Sequence, residues 1–262
     1  MNAATASPPL RFPWRWLLVA IAAYLVFLIA GVPAARITTR LQALGVQTAG
    51  VSGTIWNGRV AALQVRGLAL GPTQWQLNPW RLLTGKLGAS VQSKSDTGYL
   101  DADVVVALGG SISVRNLRAS LPLSALSGLP LPAGGVNGWS GMLQLNLDAL
   151  EVVKQWPTTV IGRVDVLNLF GPAQQPTQLG GYRITFPPER ATDGALQGIV
   201  SSQEDAPLDV IGTIRLAADR NYVIDAQVAT RASAPSSITK ALQYLGPPDA
   251  QGRRPLSIAG SL

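Results

Sequence analysis

Beyond residue 60 the chain repeats one pattern: short runs in which apolar and polar side chains alternate, separated by glycine and proline. In Met142 to Asp148, Leu143, Leu145 and Leu147 alternate with Gln144, Asn146 and Asp148. Tyr182, Ile184 and Phe186 alternate with Arg183 and Thr185, and Ile214 and Leu216 with Thr213 and Arg215. Tyr222, Ile224, Ala226 and Val228 alternate with Val223, Asp225 and Gln227. Shorter runs of the same style are Leu63–Arg66, Trp75–Leu77, Leu87–Val91, Ile112–Arg115 and Val164–Val166. Successive strand residues point to opposite faces, so each run predicts a half-buried strand. Many such runs with turn signals between them predict an antiparallel all-β architecture. The polar sets are mostly Gln, Ser, Thr and Asn, which explains a charged fraction of only 13% beside a hydrophobic fraction of 47%.

Helical signals after residue 36 are few. Pro235 to Gly246 has serines at its start, Ile238, Leu242 and Leu245 on one face, and a glycine stop. Pro79–Leu83 and Leu147–Trp156 each predict a short turn or helix. An antiparallel sheet with one apolar face must cover that face. With so few helices, the sheet closes on itself, packs on a second sheet, or forms a trough holding something apolar.

From Trp16 to Ala35 there are twenty residues without a charge. A helix of that length reaches roughly 30 Å, one bilayer core. Trp14 and Trp16 sit at its start, Arg11 and Arg15 precede it, and Arg36 closes it. The division expected is a short cytoplasmic N-terminus (1–15), a transmembrane helix (16–35) and a periplasmic β-rich domain (36–262). The competing reading is a signal peptide cleaved before Ala35, since Val32-Pro33-Ala34 is similar to a small-residue cleavage site.

Several function classes drop out. Cysteine and histidine are both absent. That removes disulfides, thiol catalysis, the Ser-His-Asp triad and the commonest metal ligands. No phosphate-binding or dinucleotide glycine pattern occurs. The acidic pairs Asp101/Asp103 and Glu204/Asp205 have no partner nearby in sequence to complete a catalytic constellation. Two like charges on one strand face, as at Asp101 and Asp103, would raise one pKa. No catalytic residue, cofactor site or metal site is therefore expected. The net charge is +7, but once Arg11 and Arg15 are set aside the 19 remaining basic residues are dispersed among 14 acidic ones. This excludes a nucleic-acid footprint and leaves a weak attraction to anionic lipid.

The order of features resembles the type II secretion system protein N family (GspN). It comprises a short basic N-terminus, one apolar run, then Gly53-Thr54-Ile55-Trp56-Asn57-Gly58, and later Trp75-Gln76-Leu77-Asn78-Pro79-Trp80-Arg81-Leu82-Leu83-Thr84-Gly85. Leu121-Pro122-Leu123, Leu242 to Gly246 and Gly252 to Gly260 continue the likeness to the end of the chain. The resemblance implies a non-enzymatic, single-pass component of the inner membrane of Gram-negative bacteria. Its bulk would be periplasmic, and it would help assemble or stabilise the complex that exports folded proteins. Implied partners are the outer-membrane secretin (GspD) and the platform subunits GspC, GspL and GspM. The family's recurrent positions fall on Gly53, Trp56, Gly58, Trp75, Pro79 and Gly85. Glycine there suits turns and tryptophan suits covering a sheet edge, with Trp56 the sharpest partner-contact candidate. A second, architectural likeness is to AsmA-like periplasmic proteins, which would make the sheet a lipid-binding or lipid-transferring half-pipe.

Overall fold

In the computed structural model, which describes residues 31–36, 42, 45–65, 68–126, 136–172, 177–189, 191 and 194–261, the alternating runs become one sheet. Its strands are β1 (Val46–Ala49), β2 (Ser52–Gly53), β3 (Asn57–Val65), β4 (Leu68–Asn78), β5 (Lys86–Ser95), β6 (Gly98–Ala107) and β7 (Ile112–Pro122). They continue as β8 (Ser140–Val153), β9 (Trp156–Phe170), β10 (Gln178–Phe186), β11 (Leu196–Ser202), β12 (Leu208–Leu216), β13 (Asn221–Thr230) and β14 (Arg254–Ser261). From β3 onward every strand pairs with the next in sequence, always antiparallel. β1 pairs with β3 on the other side, and β2 pairs only with β3. Among the described residues the sheet does not close: β1 and β2, both paired to β3, form one edge and β14 the other.

Register explains why the pattern was so regular. Cross-strand partners run Val60–Thr73–Ser93–Leu100–Ala119–Leu145, then Val164–Ile184–Val200–Gly212–Ala226–Leu256, one residue from each of β3 to β14. One position along on the opposite face, the row from β4 onward reads Gln74–Gln92–Asp101–Arg118–Asn146, then Arg163–Thr185–Ile199–Thr213–Asp225–Ser257. A slip of one residue anywhere would exchange the two faces, so the pattern itself specifies the register.

The apolar face is covered only in places. Leu147, Val160, Phe186 and Leu196 form one buried cluster, flanked by Leu117, Leu150, Val164, Ile184, Ile214 and Leu216. Above it, the β12–β13 turn reaches back to the β8–β9 turn, Arg220 Nη2 donating to the Lys154 carbonyl at 3.0 Å. An α-helix, α1 (Ser236–Leu242), sets Ile238 and Leu242 against Val228, as its spacing predicts, and a 3-10 turn (Gln243–Leu245) extends it. A 3-10 turn at Leu123–Leu126 buries Leu123 and lies against β4, β7 and β8. Among the described residues no large side chain is fully buried.

Two expectations are overturned. The helix or turn predicted over Leu147–Trp156 is instead the end of β8, a two-residue turn and the start of β9. Lys154 and Gln155 take positive φ angles of 50° and 66°, as a tight hairpin requires. A bulge between Leu147 and Ala149 shifts the alternation by one, so Leu147 and Leu150 acquire a spacing that imitates a helix.

The transmembrane helix expected over 16–35 is the second. Residues 16–30 lie outside the described residues, and among the described ones no helix is long and apolar enough to cross a membrane. Residues 31–35 do not continue a helix. Pro33 forms a bridge with Thr54, the Val32 carbonyl accepts the Ile55 amide at 3.1 Å, and Ala34–Arg36 is a single 3-10 turn. A proline with no amide hydrogen suits that junction. The single-pass topology, and the inner-membrane placement with a cytoplasmic N-terminus built on it, are therefore not supported.

At the far end, the 203–207 loop folds onto β10. Gly180, at φ 74°, allows this: an added Cβ would stand 2.7 Å from the Ala206 nitrogen. Arg231 holds the loop, donating to the carbonyls of Gln203 (2.6 Å), Glu204 (2.9 Å) and Ala206 (3.2 Å) and to Ser202 Oγ (3.1 Å). Asp209 balances it at 3.4 Å and also receives Arg253 at 2.7 Å. Arg231→Ala is expected to lower stability by about 2–3 kcal/mol, because it strips donors from several partly buried carbonyls at once. In thermal unfolding that corresponds to a fall of roughly 5–10 °C. Arg231→Lys should recover only part of it, since an ammonium lacks the planar fork. An unchanged midpoint would mean the loop is held by other contacts.

Candidate partner-contact site

The residues singled out in sequence gather at one end of the sheet, where β3 begins and β4 ends. Thr54 and Asn57 close a tight turn: the Thr54 amide donates to the Asn57 carbonyl at 3.0 Å, and the Asn57 amide to Thr54 Oγ1 at 3.2 Å. Gly53 sits at φ 88°, where a Cβ would crowd the Asn57 carbonyl. Gly58 is the cross-strand partner of Trp75. The Trp75 indole lies over Gly58 so closely that a Cβ there would overlap Cζ2, and its Nε1 donates to the Ile55 carbonyl at 3.0 Å. The close backbone approach implied by the paired glycines is thus made for Trp75. Trp56 is half-buried, and its carbonyl accepts the Leu77 amide at 2.6 Å.

The second block continues directly from this lock. Asn78 caps a 3-10 turn (Pro79–Thr84), its Oδ1 accepting the Trp80 amide at 3.1 Å. Pro79 opens the turn, where its missing amide costs nothing. Gly85 closes it in the left-handed conformation (φ 69°), donating to the Leu82 carbonyl at 3.0 Å. The Leu108 amide then donates to the Gly85 carbonyl at 3.2 Å, which ties the β4–β5 and β6–β7 turns side by side. Gly53, Gly58, Trp75, Pro79 and Gly85 all have a conformational or packing duty here.

What these two turns present to solvent was not singled out in the sequence. Trp80 is 76% exposed, Leu83 81% and Leu108 92%. Leu87, Val106 and Ile112, consecutive cross-strand partners, are also exposed and carry the apolar face out to this rim. The signal was available: apolar residues between a proline and a glycine six apart, and a leucine beside Gly109-Gly110, lie on turns too short to bury them.

The acidic pairs do not form a reactive centre. Ser90 Oγ donates to Asp103 at 2.6 Å and Asn116 Nδ2 at 3.3 Å. These two hydrogen bonds hold the Asp103 carboxyl below its ordinary pKa, with a smaller contribution from the Arg81 charge. This is opposite to the rise expected from a like-charge pair. Cross-strand pairing places Arg118 opposite Asp101 and Arg115 opposite Asp103. Glu204 and Asp205 are exposed on the loop that Arg231 holds. Among the described residues no group of three or more Asp or Glu side chains is placed to hold a metal ion.

Residues 44–257 match the family described as "Type II secretion system (T2SS), protein N". The chain is similar to the "Type II secretion system protein N" of Aeromonas hydrophila, 29% identical over 92% of this chain and 96% of that one. It is also similar to the protein of the same description from Vibrio cholerae serotype O1, 25% identical over 83% of this chain and 86% of that one. No solved structure matches it.

Proposed function

The chain belongs to the type II secretion system protein N family, and we propose that it helps assemble or stabilise the envelope-spanning complex of that apparatus. It does so as a non-catalytic accessory subunit. The observation carrying this reading is the family match over most of the fold, residues 44–257. The architecture supports it. Among the described residues the sheet is open, with β1 and β2 along one edge and β14 along the other, and edge strands are ready templates for a strand from another chain. The partners proposed are the secretin GspD and the platform subunits GspC, GspL and GspM.

The test is secretion and co-purification. Deleting the chain should weaken exoprotein release, and extraction of the full-length protein should bring down secretin or platform subunits. Residues on the free edge of β14, replaced singly by cysteine, should cross-link to one of those partners. Extraction of the protein alone, with secretion and complex composition unchanged on deletion, would end this reading.

One observation favours a second reading, lipid binding within the sheet. A largely apolar row crosses twelve strands, β3 to β14, with only partial cover among the described residues. Native mass spectrometry of the purified protein would then show bound phospholipid. A lipid-free spectrum under conditions that preserve the fold would remove this second reading.

A further inference from the structure

We propose that the rim formed by the 79–87 and 106–112 turns docks on the surface of an anionic phospholipid bilayer, Trp80, Leu83 and Leu108 entering its headgroup boundary. Three observations lead to it. First, the three most exposed apolar side chains of this rim sit on two turns tied together by the Leu108–Gly85 hydrogen bond. An exposed indole and two exposed leucines match the headgroup–acyl boundary, where an amphipathic ring and short apolar side chains are favoured. Second, these turns contain Arg81 and Lys86 and no acidic residue. Each cation near an anionic surface adds to the attraction. Arg81 runs along the polar face over Gly88, where its charge also reaches Asp103, and Lys86 is exposed at the start of β5.

Third, the chain outside the described residues joins the fold here. Pro33 bridges Thr54 and Val32 bonds Ile55, three and two residues before Asn57, whose cross-strand partner is Gln76. Gln76 is three residues before Pro79. Residues 31–36 therefore meet the sheet at the same end as this rim. The proposal needs no spanning helix, since the turns enter only the outermost layer.

The absence of cysteine makes the test direct. Single cysteines are placed in the full chain at Leu83→Cys, Leu108→Cys and Tyr244→Cys, and labelled with an environment-sensitive fluorophore. Tyr244 is 92% exposed and follows α1 at the opposite end of the sheet. With phosphatidylethanolamine–phosphatidylglycerol vesicles carrying brominated acyl chains, labels at 83 and 108 should blue-shift. They should be quenched at least threefold more than the label at 244, with the reverse order for aqueous iodide. Arg81→Glu with Lys86→Glu should halve that quenching or more in anionic vesicles. A triple Trp80→Ser, Leu83→Ser, Leu108→Ser variant changes exposed positions only and should keep its unfolding midpoint. In that background a label at Leu87→Cys should lose its lipid quenching.

Equal quenching at 83, 108 and 244 would overturn the proposal. So would protection of 83 and 108 from iodide without vesicles and rising with protein concentration, which would assign the rim to a second copy. Protection that appears only with secretin or platform subunits would assign it to a protein partner and overturn it equally. Because the readout is local to the rim, its failure leaves the role in secretion untouched.

Discussion

Gly162→Ala is expected to destabilise the protein by about 3–5 kcal/mol, among the largest effects of any single methyl group added to this fold. Gly162 lies in β9 between Leu147 of β8 and Phe186 of β10, both in the main buried cluster. Its φ is 129°, a region that a residue with a Cβ rarely enters. The added carbon would stand 2.7 Å from Leu147 Cα and closer still to the Asn146 carbonyl. Both are backbone atoms, so no side-chain rotation relieves the contact. Relief requires β8 to move at its bulge, which withdraws Leu147 from Phe186 and Val160. Backbone strain of about 1–3 kcal/mol then adds to a partial loss of core packing. Thermal unfolding followed by circular dichroism should show a midpoint lower by roughly 10 °C or more. Gly109→Ala is the control, because nothing lies within 4 Å of a Cβ there and its φ is not in the positive range. That change should be neutral or slightly stabilising. If the two variants unfold within a degree of each other, the bulge does not have the geometry described.

The bulge also shows where sequence reading reached its limit. Alternation located the longer strands because each residue has one binary choice, apolar face or polar face, and the register rows obey it across the sheet. Where a bulge inserts one residue, the choice inverts, and Leu147–Trp156 looked helical although it is a hairpin. The C-terminal helix was legible because Ile238 and Leu242 are four apart and both needed cover. The junction at Val32–Pro33 was not, because its hydrogen bonds go to residues more than twenty positions away, and hydropathy is blind to such pairing. The candidate site was legible in its scaffold and not in its surface. Gly58, Trp75, Pro79 and Gly85 each serve the local geometry of these turns. Trp80 and Leu108 stand out only once their turns are known to be too short to bury them.

The scaffold of that site yields the second large effect. Trp75→Ala is expected to cost about 3 kcal/mol. That is below the value for a fully buried tryptophan, because this indole is half-buried, but it includes the Nε1 bond to Ile55. Gly58→Val should cost nearly as much for the same reason, approached from the other strand. A Cβ at 58 overlaps the ring, so the indole must leave Gly58 and surrender its bond to the Ile55 carbonyl. The two changes break one contact, so their effects must not add. The double variant Gly58→Val/Trp75→Ala should cost little more than either alone, a coupling of about 2 kcal/mol in a double-mutant cycle. Additive losses would mean that the two residues act separately and that the indole does not rest on Gly58. The consequence should spread beyond the pair. The Ile55 and Leu77 amides bond Val32 and Trp56 across the same turn, so hydrogen exchange at both should accelerate together in either single variant. A lock built from one tryptophan and one glycine would thus govern both the turn that carries Trp56 and the point where the preceding chain meets the sheet.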